Sequence, residues 1–325
     1  MTRTIGLPLL AGILLIGAAA AGLSGCARSD KKRIAGIVFQ EDQFFRLATF
    51  GMREAAAKNG VELLEANSAG KPDKEIQLVN TYIASGVSAI VVSPLSLKAS
   101  SSALSRAREK GITVVTYNTD VEGDLAAAFI ESDQYGLGAL TGEAARKYIE
   151  GKLGGKARIA ILAFMSNAPE QNIARVSGFK DQLSSLPGVT IVAEQDAWLA
   201  ETAVKKGSDI LTAHPDLDLF WAANEGGTVG CVMAVKNAGR TGRVVVFGTD
   251  ASEQLADFLL ADDNILQAVT GQRPYEIGFE AVEAAVKVLN GQPVEKKTAL
   301  PGLLLSRADT TGIMAFKVRL AELTK

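Results

Sequence analysis

The chain has 325 residues, 47% of them hydrophobic and 22% charged, with a formal net charge of -2. That length accommodates two ordinary domains. The slightly acidic balance excludes the basic surface that nucleic-acid binding needs and suits a small neutral ligand. Two cysteines and one histidine leave little room for a disulfide framework, a metal cluster or a Ser-His-Asp triad.

The chain opens with Met1-Thr-Arg3, an apolar run from Ile5 to Leu23, and Leu23-Ser-Gly-Cys26. A cationic start, an apolar core and small residues before a cleavage point describe a secretory signal. The last four residues resemble a bacterial lipobox. The expectation is a signal peptide over 1–25, diacylated Cys26 as the mature N-terminus and a short polar tether over 26–33. An uncleaved membrane anchor is the alternative, since the run is nearly long enough to span. Either way the body lies outside the cytoplasmic membrane, in the cell envelope: lipid-anchored in the periplasm or on the outer face.

From Ile34 the pattern alternates. A strand over Ile34–Phe39 leads through Gln40-Glu-Asp-Gln43 into a helix from about Phe44 to Asn59, closed by Gly60. Strands follow at Val61–Glu65, Ala89–Pro94 and from Ile112, separated by helices over Pro72–Ala84 and Leu97–Lys110. After a strand at Ala126–Ile130 the alternation begins afresh. Helices are expected near Gln134–Glu150, Asn172–Leu186, Glu201–Ala213, Gly226–Asn237 and Ser252–Leu260. The strands between and after them fall at Arg158–Ala163, Thr190–Gln195, Leu217–Ala222, Val244–Gly248 and Ile265–Val269. Two βα arrays in tandem predict two Rossmann-like α/β lobes with parallel sheets. A further helix, Tyr275–Leu289, has no place in the second array and is expected to return to the first. This divides the chain into 34–132 with 273–300, and 133–272 with 301–325, joined by several crossings near Ser132, Gln272 and Pro301.

Four of these strands run from apolar residues into polar ends: Ala89–Pro94, Ile112–Asp120, Leu217–Glu225 and Val244–Asp250. Ligands of open α/β sheets bind outside the carboxyl ends of the strands, so these ends predict a shared polar crevice. The same residue types also cap helices, which is the competing interpretation of each. The glycine-rich stretches Gly136–Gly142 and Gly226–Gly230 lack dinucleotide-binding spacing and are expected to let helices approach the sheet. Cys231 falls in an apolar helical stretch and is expected in the core. His214 precedes Pro215 in a turn.

Phe44-Phe45, Ser132-Asp133, Arg175 ahead of Gly178-Phe179, Trp198, Thr212–Asp216, Asn224, Asp250 and Gln272 before Pro274 occur in an order that resembles the periplasmic sugar-binding proteins of ABC transporters, ribose-binding type. The resemblance runs from Ile34 to about Arg307. It implies a two-lobed type I solute-binding protein that closes over a monosaccharide or polyol and hands it to an ABC permease, as a monomer and without cofactor, metal or nucleic acid. It also implies roles. Phe44, Phe45 and Trp198 are aromatic plates for the sugar's C–H faces, Arg175 and Asp250 bracket hydroxyls, and Asp42, Asn224 and Gln272 add donors or acceptors. The structural alternatives are helix core for the phenylalanines and N-caps for Asn224 and Asp250.

The chain departs from the ribose pattern in its first lobe. Asn118-Thr119 stands where the ribose type carries Asp-Arg, Asp42 replaces an Asn, and Gln43 replaces a Pro. Ribose itself therefore does not follow. The chain also continues past Arg307 into an amphipathic run to Lys325, expected to be a helix docked on a lobe. Three other classes compete: a repressor with this body, which needs a helix-turn-helix ahead of Ile34; a sugar-active enzyme using Asp42 and Asp250 as a carboxylate pair; and a sugar-sensing subunit for a membrane receptor or kinase.

Overall fold

The computed structural model describes residues 1–2, 31–96 and 98–323. The expected signal peptide, Cys26 and most of the tether lie outside the described residues. So does Leu97. Among the described residues no helix is long and apolar enough to cross a membrane.

The first sheet is built from β1 (Arg33–Val38), β2 (Glu62–Asn67), β3 (Ala89–Val92), β4 (Thr113–Tyr117), β5 (Ala128–Ser132) and β11 (Lys297–Leu300), in the order β11-β5-β4-β3-β1-β2. The second contains β6 (Lys156–Ala163), β7 (Gly188–Asp196), β8 (Leu219–Ala222), β9 (Val245–Thr249), β10 (Leu266–Gly271) and β12 (Leu303–Ser306), ordered β12-β10-β9-β8-β6-β7. Ladders are parallel except for β12, which runs antiparallel to β10. All four residues of both β3 and β8 are buried, because helices cover both faces. That is why their sequences are unbroken apolar runs rather than alternating ones.

Helices α1 (Gln43–Lys58) and α9 (Pro274–Leu289) cover one face of the first sheet, and α2 (Pro72–Ser85) and α3 (Ala99–Glu109) the other. On the second sheet, α4 (Gln134–Lys152) and α5 (Pro169–Leu183) oppose α6 (Ala200–Ala213), α7 (Glu225–Asn237) and α8 (Glu253–Leu260). Pro72 in the first turn and Gly86 at φ 66° start and stop α2 as the sequence implies. Trp221, fully buried on β8, stacks on Phe179 of α5 with centroids 4.5 Å apart and donates to Thr141 Oγ1 at 3.0 Å. Cys231 is wholly buried in the second core, and burial pushes its thiol well above the ordinary value.

The chain passes between the sheets at β5 to α4, at β10 to α9 and at β11 to β12. These crossings are neighbours. Ser132 is in register with Leu300, and Gly271 with Leu303. Asp133 N donates to Leu300 O at 2.8 Å. Strands β11 and β12 flank Pro301 and were not expected from the sequence, since they are short, half exposed and interrupted by a Pro-Gly pair.

Within the glycine-rich stretches Gly227 lies against Ala222 Cβ of β8, the helix-to-sheet approach expected, whereas Gly138, Gly142 and Gly230 serve helix-to-helix contact. A Cβ on Gly138 would lie 1.9 Å from Arg175 O, and one on Gly178 would lie 2.1 Å from Tyr135 O, so α4 and α5 touch backbone to backbone. Helices α1 and α9 repeat the device in the first lobe, at Gly51 and Gly278. A final helix, α10 (Thr310–Leu323), touches elements of both lobes.

Candidate functional site

The carboxyl ends of the two sheets face one another. Gln171, in the first turns of α5, donates through Nε2 to the backbone oxygen of Asn118 at 3.2 Å, a direct hydrogen bond from one lobe to the other. Ser132 Oγ bonds Gln272 Oε1 at 2.9 Å beside the crossings.

Asn118 and Asp250 occupy equivalent places in the two lobes. Each follows directly on a buried strand, β4 or β9, and each anchors its N–H on the adjacent strand: Asn118 on Ile130 O at 2.9 Å, Asp250 on Thr270 O at 2.8 Å. Both have left-handed backbone, φ 62° and 72°. Non-glycine residues adopt this conformation at some cost, Asn and Asp most readily, and such positions concentrate at binding sites.

Behind Asp250 lies a buried guanidinium. The Arg175 side chain is 2% exposed, held on α5 by the glycine contact with α4. It donates from Nε to Gln134 Oε1 at 2.8 Å and from Nη1 to Ala223 O at 2.8 Å. Nη1 also reaches Asp250 Oδ1 at 3.4 Å. Its Cζ lies 5.1 Å from the Phe164 ring centroid. Burial draws the Arg175 pKa down, and the Asp250 carboxylate opposes that shift. Asp250 accepts in addition from Gln272 Nε2 at 2.9 Å and, through Oδ2, from Glu225 N at 2.9 Å. Arg175, Asp250 and Gln272 are thus one network, tied through Ser132 to the first lobe. The network holds these donors and acceptors in fixed mutual positions, with charge-assisted hydrogen bonds at its centre.

The other expected site residues divide by role. Asn224 caps α7, with Oδ1 accepting from Gly227 N at 3.1 Å, and its amide holds Trp198 O at 2.8 Å. It therefore fixes the loop that carries Trp198, which is 37% exposed. Asp42 is the N-cap of α1, accepting from Phe45 N at 2.9 Å. Asp250 is not a cap, because Ser252 caps α8. Phe45 is 3% exposed, in the first core against Phe39, Phe44 and Tyr117, and it backs the half-buried Phe44. Asn118 Nδ2 reaches Ser93 Oγ at 3.3 Å, joining two of the four polar strand ends, and Thr119 is half-buried beside it.

Three residues that sequence reasoning passed over belong here: Gln134, Gln171 and Glu225. Glu225 sits beside Asp250, and its carboxyl is raised by burial first; Asp250 and Asp42 add to the shift while a Ser252 hydrogen bond opposes it. Tyr117, fully buried under the site, donates to Ile37 O at 3.2 Å and is raised well above its ordinary value by burial and then by Asp42. Among the described residues no group of His, Cys, Asp and Glu could hold a metal ion. A concavity of about 410 Å³ lies between α1 and β2; Phe45 lines it, but none of Arg175, Asn224 or Asp250 does.

Two α/β lobes joined by adjacent crossings, with polar residues at their strand ends and the Gln171–Asn118 bond between them, define a two-lobed small-molecule-binding protein. Residues 37–293 match the periplasmic binding protein domain, and the chain belongs to that family. Among its relatives, the ABC transporter periplasmic-binding protein YphF of Escherichia coli is 30% identical over 86% of this chain and 87% of that protein. The ribose import binding protein RbsB of Bacillus subtilis is 27% identical over 79% and 81%. The crystal structure of an ABC transporter periplasmic solute binding protein from Actinobacillus succinogenes with bound D-allose superposes with a TM-score of 0.77 at 25% identity, covering 86% of this chain and 99% of that one.

Proposed function

We propose that this protein is an extracytoplasmic solute-binding lipoprotein that captures a monosaccharide or related polyol by lobe closure and delivers it to an ABC permease. The observation that carries the proposal is the Arg175–Asp250–Gln272 network at the strand ends of the second lobe, with Gln171 of the same lobe bonded to Asn118 O of the first. Hydroxyl pairs need fixed donors and acceptors in a water-poor space, and ring C–H faces need exposed aromatic surface, for which Phe44 and Trp198 are placed. The names of YphF and RbsB support transport, and the D-allose complex supports a sugar.

The lobes are residues 34–132 with 273–300, and 133–272 with 301–325, rotating about the crossings near Ser132, Gln272 and Pro301, a known route to enclosing a ligand. The protein acts as a monomer held to the membrane through lipidated Cys26, without cofactor. An enzyme using Asp42 and Asp250 is disfavoured because both carboxylates are already engaged, one as a helix cap and the other by Arg175, Gln272 and Glu225 N.

The test is a thermal-shift screen of pentoses, hexoses, cyclitols and linear polyols. A ligand at roughly a hundred times its Kd stabilises the native state by about 2.7 kcal/mol, enough to raise the midpoint measurably. A panel without a single shift would remove the sugar reading. The lipid anchor is tested by Cys26→Ser, which should carry no lipid and retain residues 1–25. A processed, lipid-bearing mutant would contradict it.

A further inference from the structure

Helix α10 begins on the second lobe. Asp309 accepts from Gly312 N at 2.9 Å at its start, Ile313 is fully buried in the second core, and Lys317 pairs with Asp257 of α8. Further along, the same helix leaves that lobe. Leu320, 9% exposed, forms a separate apolar cluster with Leu47 and Tyr275, flanked by Phe50, Phe316 and Leu323. Leu47 and Phe50 belong to α1 and Tyr275 to α9, both on the first sheet. The Arg319 guanidinium sits 5.2 Å over the Tyr275 ring, and Tyr275 Oη donates to Glu54 of α1. Phe316 packs against both clusters.

We propose that α10 is a strut across the hinge that holds α1, and with it the first-lobe wall of the cleft, toward the second lobe. The crossings are chain connections that can rotate with little loss of packing. A helix rooted in one core and packed on the helices of the other lobe cannot, because separating the lobes would expose Leu320, Leu47 and Phe50 to water. These contacts coexist here with the Gln171–Asn118 hydrogen bond from one lobe to the other, so both bridges are made in the same arrangement. An interaction made in one state and lost in another shifts the balance between them by its own free energy. The first turn of α1 carries Asp42, Phe44 and Phe45, so residues on its opposite flank position part of the candidate site without touching the ligand. This inference rests on the hinge alone and not on which solute is bound.

The experiment uses residues 26–325 produced without the leader, with Cys26→Ser and spin labels at Glu122→Cys and Glu201→Cys, exposed positions on either lobe; Cys231 is fully buried. Pulsed dipolar spectroscopy reads the interlobe distances without ligand. Leu320→Glu on α10 and Phe50→Ala on α1 should each shift the distribution to longer distances, and the double variant should go no further than the larger single effect. Met314→Glu, on the exposed face of the same helix, should leave it unchanged. Unchanged distances in either single variant, summed shifts in the double, or an equal shift from Met314→Glu would overturn the proposal. A thermal midpoint for each variant confirms that the distances come from folded protein, and a thiol-reactive count of two verifies the labelling sites.

Discussion

Replacing Asn118 by glycine and by alanine separates backbone strain from ligand contact. At φ 62° an L-residue pays about 1–2 kcal/mol in the left-handed region, somewhat less for Asn. Glycine relieves that strain but loses about 0.4–1 kcal/mol through the greater freedom of the unfolded chain. The only side-chain bond lost is the long one to Ser93 at 3.3 Å, which contributes no more than about 0.5 kcal/mol. The terms nearly cancel, so Asn118→Gly should stay within about 1 kcal/mol of wild type, while Asn118→Ala keeps slightly more strain than Asn, loses the Ser93 bond and falls about 0.5–1 kcal/mol. Glycine should therefore be the more stable of the two, the reverse of their order in a helix. Urea unfolding of the three proteins gives the ranking. Calorimetric titration with the strongest hit of the sugar screen should show weaker binding by both variants. Alanine above glycine would refute the strain argument, and unchanged affinity in both would remove Asn118 from the site.

Arg175→Ala strips a donor from Gln134 Oε1, Ala223 O and Asp250 at once, so it should destabilise by about 3–5 kcal/mol in urea unfolding. A loss below about 1 kcal/mol would mean the network is not closed as described. Gly138→Ala forces a Cβ into Arg175 O and should cost about 1–3 kcal/mol, lowering the thermal midpoint; a wild-type midpoint would contradict the α4–α5 contact. Glu225 is raised from its ordinary 4.5, so the native state binds its proton more tightly than the unfolded chain does. Its favourable contribution is complete below the unfolded value and is lost as pH rises through the raised one. Relative to Glu225→Gln, wild-type stability should therefore decline from about pH 4 toward neutrality, and a rise over that range would reverse the assignment.

The order of elements was legible because buried parallel strands are written as apolar β-branched runs, and because Gly60, Gly86 and Gly111 punctuate the helices at positive φ. The pairing of β11 with β5 was not. Lys297 and Ala299 are exposed on an edge, and nothing local in Lys-Thr-Ala-Leu distinguishes that strand from a loop. In the site, the polar strand ends were visible, yet their roles divide in ways only tertiary contact decides. Asn224 and Asp42 cap helices as such residue types often do, whereas Asp250 leaves that job to Ser252. Gln134 and Gln171 look like ordinary first-turn residues. Their partners, Arg175 and Asn118, lie 41 and 53 positions away, beyond any local pattern. One signal was available: Asn and Asp are the non-glycine residues that best tolerate left-handed backbone, and both stand directly after buried strands in corresponding places of the two arrays.

The proposed role of the Asp250 network is to hold a sugar between the lobes. Calorimetric titration of the strongest screening hit into wild type and Asp250→Ala, alongside urea unfolding of both, tests it directly. A loss of about 2–4 kcal/mol of binding is expected, roughly 30- to 1,000-fold in Kd, because a charged hydrogen bond is left unpaired between the lobes. A variant that unfolds earlier but binds the sugar as tightly as wild type would contradict it, and would leave Asp250 as a purely structural partner of Arg175.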